Sequence, residues 1–103
     1  MLKDEPIFEW DALKDLDNQL KHGVSFKDAR HAFNDENNII LADLTHSDNE
    51  YRFYCYGKDR HGRGVLTVRF TYRSGKIRIF GAGYWRKGKR VYEQKNKIHK
   101  RPD

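Results

Sequence analysis

Seven basic side chains, Lys21, Arg52, Arg63, Arg69, Arg73, Arg78 and Arg86, frame the chemistry open to this chain. A guanidinium fork matches two phosphate oxygens at once and stays charged at any working pH, so arginines suit a phosphodiester. Beside them stand groups able to move protons: Lys21 and His22 are adjacent, and Glu50 is a second choice for a base. Histidine ordinarily titrates near neutrality, as a general acid or base at neutral pH should. Such a set could cut RNA without a metal. A base would draw the proton from a ribose 2′-hydroxyl, fixed cations would neutralise the transition state, and an acid would protonate the leaving 5′-oxygen. Each residue also has a plainer use. His22 would cap a helix C-terminus, Arg78 would pair with an acid across strands, and Arg73 would sit in solvent.

Other chemistries find less support. His22, His31, His46, His61 and His99 are scattered, with no pair three or four residues apart to place two imidazoles on one helical face. No metal and no cofactor is therefore expected. His46-Ser47 lacks a second histidine or acid placed to complete a triad and reads as part of a turn. The lone Cys55 excludes an internal disulfide, fits a reducing compartment and suits a small apolar packing role.

The charge is divided along the chain. Residues 1–50 hold twelve acids against five Lys/Arg, whereas residues 51–103 hold sixteen Lys/Arg against three acids, for a net charge of +6. A basic half interleaved with Tyr51, Phe53, Tyr54, Tyr56, Phe70, Tyr72, Phe80, Tyr84 and Trp85 fits nucleic acid, with cations for phosphates and rings for unpaired bases. The competing reading is a solvated basic surface over an aromatic core, and Trp10 and Trp85 read more readily as core or interface anchors than as stacking platforms. No apolar run approaches the roughly 20 residues that spanning a membrane needs, and no charged-then-apolar leader is present. The expectation is one soluble, cytoplasmic domain over residues 1–103.

These residues need elements to position them. Ile7 to Trp10 reads as a short strand able to pair at a sheet edge. Asp11 suits a helix N-cap, followed by an apolar stripe of Leu13, Leu16 and Leu20 that ends before Gly23. Ser25-Phe26-Lys27-Asp28 resembles a capping box, with Val24 stapling onto Ala29 and a short amphipathic helix ending near Asn34. Strands are expected over 39–44, 51–56, 65–73 and 76–82, with Ser74-Gly75 as the last turn. In the third of these, Leu66, Val68, Phe70 and Tyr72 alternate with Thr67, Arg69, Thr71 and Arg73. A basic helix from Trp85 to about Lys100 closes the chain. The fold class is α+β: a mostly antiparallel four-stranded sheet packed by two N-terminal helices and one C-terminal helix.

Several blocks are more specific than composition. They are Phe8-Glu9-Trp10-Asp11, Lys14, Asn18, Lys21-His22-Gly23-Val24-Ser25-Phe26, Ala29, Phe33, His46-Ser47, Glu50, Arg52, Gly57 and Gly62-Arg63. Further on come Phe70-Thr71-Tyr72-Arg73, Ile77-Arg78-Ile79 and Tyr92-Glu93. Together they resemble the BrnT family, the toxin component of a bacterial type II toxin–antitoxin pair with a RelE-like ribonuclease fold. The resemblance implies an endoribonuclease that inhibits translation and is neutralised by a cognate DNA-binding antitoxin, meeting promoter DNA only through that complex and no membrane. It puts Arg63 and Arg78 at matched positions near strand ends, as phosphate clamps gathered into one cleft. Lys21, His22 and Glu50 are the other catalytic candidates, and Arg52, Arg69, Arg73 and Arg86 the RNA-binding ones. The acidic half would suit a basic or mixed protein partner. Where the family has Ser-Ala-Arg after its last strand, this chain has Gly81-Ala82-Gly83. Gly83 has no side chain to hold a phosphate. Either Arg86 serves instead, or the chain is a module that binds RNA or antitoxin with weakened turnover.

Overall fold

Alternation in the late strands builds one sheet with two unlike faces. The computed structural model describes residues 5–45 and 49–97. Strands β1 (Phe8–Glu9), β2 (Ile39–Ala42), β3 (Arg52–Lys58), β4 (Val65–Arg73) and β5 (Lys76–Gly83) form a five-stranded sheet in the order β1-β5-β4-β3-β2. The four long strands pair antiparallel, as expected, but β1 joins β5 in parallel, with Phe8 opposite Ile77 and Glu9 opposite Arg78. The sheet is therefore five-stranded and mixed rather than four-stranded. The expected β2 ends two residues early, and β3 runs through Gly57 to Lys58. Any side chain at Gly57 would collide with the backbone of Ala32, so this glycine is what lets the preceding helical segment lie flat on β3.

On one face Cys55, Leu66, Val68, Phe70 and Ile79 pack against Val24, Phe26, Ala29 and Ala32. The helix expected to run to Asn34 is two pieces, α2 (Phe26–Ala29) and a 3-10 helix (Arg30–Asn34). Ser25 caps α2 by accepting from the Asp28 N–H at 3.0 Å. Burial pushes the Cys55 thiol up to about 12, in keeping with an inert packing role.

The opposite face is only partly covered. Helix α3 (Arg86–Asn96) lays Tyr92 on Tyr56 and Val65 at one end, and Asp35 fastens it. The Tyr92 hydroxyl donates to Asp35 Oδ2 at 2.6 Å and the Lys58 N–H to the same oxygen at 2.8 Å. Burial pushes the Asp35 carboxyl up, but these bonds and one from the Asn37 N–H outweigh it and hold the group below its usual value. The end of the expected terminal helix (Ile98 to Lys100), His99, and His46, Ser47 and Asp48 of the expected turn lie outside the described residues.

Helix α1 (Ala12–His22) departs most from its sequence pattern. Asp11 caps it, accepting from the N–H groups of Leu13 and Lys14, and Gly23 ends it at φ 70° in the left-handed region. Yet Leu13, Leu16 and Leu20 are 76%, 53% and 79% exposed, and the residue this helix buries is Asn18. The cause is the sheet edge. Strand β1 covers only the start of β5, leaving Ala82 with an unpaired N–H and C=O. The Asn18 side chain accepts from the Ala82 N–H at 3.2 Å and donates to the Ala82 and Val24 carbonyls, each at 2.9 Å. Satisfying a buried backbone edge outweighs burying leucines that lie about 140° to 160° round the helix from Asn18.

Candidate functional site

With Asn18 clamped to β5, α1 presents Lys14, Asp17, Lys21 and His22 to the open face of the sheet. There they meet Arg52 from β3, Arg69 from β4, and Phe80, Gly81 and Trp85 from β5 and its exit, around a cleft of about 400 Å³. A bulge makes the floor. Arg69 pairs with Gly81 and Phe70 with Ile79, so Phe80 is an extra residue whose ring turns onto the open face. The Arg52 and Arg69 guanidinium carbons lie 4.7 Å and 5.2 Å from the centre of that ring. Phe80 thus holds two cations in place through its π face. A Cβ at Gly81 would stand 3.3 Å from Arg69 Cδ, so the glycine leaves the arginine its lane.

On the helix side, Lys21 Nζ is 3.1 Å from Asp17 Oδ2, an exposed pair that orients the ammonium with little energetic consequence. The His22 imidazole meets the Trp85 indole edge to face, with centroids 5.2 Å apart. Trp85 in turn fills the space over Gly83, where a Cβ would come within 2.6 Å of the indole. Gly83 is therefore what seats the tryptophan. Four cations and one imidazole against the single carboxylate of Asp17 give the cleft a positive field suited to a phosphodiester.

The expected site residues fall into three groups. Lys21, His22, Arg52 and Arg69 share the cleft. Arg78 lies on the same open face, one strand beyond Thr71 from Arg52, but its guanidinium is 3.2 Å from Glu9 Oε2, the cross-strand pairing weighed from sequence. Arg73 likewise lies 3.1 Å from Glu50, which engages that carboxylate with a cation away from the cleft.

Arg63 and Arg86 stand apart. Arg63 belongs to the loop from Asp59 to Gly64, where Asp59 Oδ1 accepts the Arg63 N–H at 3.0 Å and Oδ2 accepts the Tyr84 hydroxyl at 2.9 Å. Burial and this bond push the Tyr84 phenol up to about 12. Arg86 lines a separate depression with Gly64, Val65, Tyr84, Trp85 and Lys89. Since β4 rises roughly 3.3 Å per residue, Arg63 and Arg78 stand about 20 Å apart along it. Arg63 and Arg78 lie toward opposite ends of the β4–β5 ladder, so among the described residues the expected cleft joining them is not formed.

Lys14, Phe80 and Trp85 were not singled out as site residues by sequence. Lys14, Asn18, Lys21 and His22 recur at i, i+4, i+7 and i+8, the spacing of a single helical face, and that polar stripe was the available signal. The Phe80-Gly81 pair breaking the Ile77/Ile79 alternation was the signal for the bulge.

The family model described as ribonuclease toxin, BrnT, of type II toxin–antitoxin system matches residues 10–88 of the chain. No curated protein matches it.

Proposed function

Because the chain belongs to the BrnT family of type II toxin–antitoxin ribonucleases, we propose that it cleaves RNA in the cleft between α1 and the open sheet face, without a metal. The observation that carries this reading is the convergence of Lys14, Lys21, His22, Arg52 and Arg69 on one concavity. His22 takes the 2′-hydroxyl proton, and O2′ attacks phosphorus. Arg52 and Arg69, held over Phe80, bind the non-bridging oxygens as negative charge builds there. Lys21 gives a proton to the 5′-oxygen as its bond to phosphorus breaks, so no water is consumed. The products are a 2′,3′-cyclic phosphate and a 5′-hydroxyl. In the cell, cutting messenger RNA would inhibit translation.

Purified chain incubated with RNA and a strong chelator tests this. Cleavage should persist and leave cyclic phosphate ends; cleavage abolished by the chelator and restored by a divalent ion would overturn metal independence. Gly83 favours a second reading, a module that binds RNA without turnover. Retained RNA binding with no cleavage in any buffer would select it.

A cognate DNA-binding antitoxin is the neutralising partner in this proposal, and promoter DNA is met only through it. The exposed stripe of Leu13, Leu16 and Leu20 supports a docking place on α1, since Lys14, Asp17 and Lys21 on the same helix form the cleft wall. An apolar antitoxin segment seated there would overhang the cleft. Leu16→Asp is expected to weaken the toxin–antitoxin complex at least tenfold while cleavage by the free chain is unchanged. Unaltered complex affinity in a titration would place the antitoxin elsewhere.

A further inference from the structure

The cleft has a neighbour that the cleavage chemistry does not use. A depression of about 530 Å³ lies between the open sheet face and the start of α3, and Arg69 and Trp85 line both it and the cleft. Its other walls are Tyr54, Tyr56, Lys87 and Thr67. The Tyr54 and Tyr56 rings are nearly parallel, 5.8 Å apart at 22°, and present flat apolar surface. Thr67 is buried, and among the described residues its hydroxyl has no hydrogen-bond partner. The depression also depends on two glycines. A side chain at Gly83 would displace the Trp85 ring, and one at Gly88 would run into the Thr67 hydroxyl as α3 crosses the sheet.

We propose that this depression is a nucleobase subsite, in which a base flanking the scissile phosphate stacks against the Tyr54, Tyr56 and Trp85 rings. The proposal rests on the RNA-cleaving reading and adds to it the group that fixes the strand's register. Three features carry it. The walls are aromatic, and every base has a π face to set against them. Arg69 stands at the boundary, so a phosphate on its guanidinium and a base in the depression belong to adjoining parts of one strand. Lys87 at the rim supplies a cation for a neighbouring phosphate.

A short single-stranded 2′-O-methyl RNA tests the proposal, since it lacks the attacking hydroxyl and stays intact when bound. Its affinity is compared with that of strands carrying one abasic position each. Removing the base at one position should weaken binding about tenfold, whereas removal elsewhere costs little. In Tyr54→Leu, which keeps apolar volume but no ring, the intact strand should bind about as weakly as that abasic strand does to the native protein. The abasic penalty should then vanish. Should no abasic position matter, or the penalty persist undiminished in Tyr54→Leu and Tyr56→Leu, the subsite is refuted while salt-sensitive binding and cleavage of ordinary RNA stand. A native protein that neither binds the intact strand nor cleaves ordinary RNA would refute both.

Discussion

Replacing Arg69 by alanine is expected to slow RNA cleavage about 100- to 1000-fold with the fold intact, the usual loss for one preorganised stabiliser of transition-state charge. Arg69 is chosen over its neighbours on geometry. Arg78 and Arg73 are spoken for by Glu9 and Glu50. Among the described residues Arg69 has no such ion pair, and Phe80 and Gly81 aim its guanidinium into the cleft. The charge is preorganised: the π face holds the cation before substrate arrives, so little reorganisation is needed as the phosphorane forms. Arg69→Lys should recover only part of the loss, because an ammonium keeps the charge but not the two-pronged geometry. The matched control is Arg63→Ala, in the loop before β4, whose start at Val65 is about 13 Å from Arg69 by strand rise; it should change the rate no more than severalfold. Initial rates on one RNA substrate, with circular dichroism of each variant, decide the matter. A collapse of activity in Arg63→Ala with Arg69→Ala near native would move the chemistry to the far end of the sheet.

The contrast between these arginines shows what sequence could and could not supply. The strands were legible because alternation is a local signal: Leu66, Val68 and Phe70 are buried as their spacing required. Helix caps at Asp11 and Ser25 were legible for the same reason. What failed was non-local. The Leu13, Leu16, Leu20 periodicity is a true helix signal, but which face turns inward was settled by the open edge of β5, more than sixty residues away in sequence. Asn18 satisfies that edge and no leucine can. Likewise Arg63 and Arg78 both lie near strand ends, yet antiparallel pairing sends them to opposite ends of the ladder. The cluster formed at Phe80 depends on a one-residue bulge, and a bulge leaves only a faint mark in the pattern. Family membership identifies the class of chemistry, while register decides which cations stand together.

That dependence on one amide gives the largest expected effect on stability. Asn18→Ala removes the partners of the Ala82 N–H, the Ala82 carbonyl and the Val24 carbonyl together. Each buried backbone group left unpaired costs about 1–3 kcal/mol, and some relief from entering water brings the sum to about 3 kcal/mol. For a domain of this size that corresponds to a fall in Tm of roughly 10–20 °C. The substitution should also reach the chemistry, because Asn18 sets the pose of the helix carrying Lys14, Lys21 and His22. At a temperature where the variant remains folded, kcat should fall by roughly 10-fold or more, since small misplacements of reacting groups are costly. Asn18→Asp separates the two carbonyls from the amide. It keeps an acceptor for the Ala82 N–H but sets a carboxylate against two carbonyl oxygens, so it should be no more stable than the alanine variant. Denaturant titration of both variants beside single-turnover cleavage provides the check. A loss below about 1 kcal/mol in Asn18→Ala would mean that water replaces the amide freely, and α1 would then be held by something other than the edge of β5.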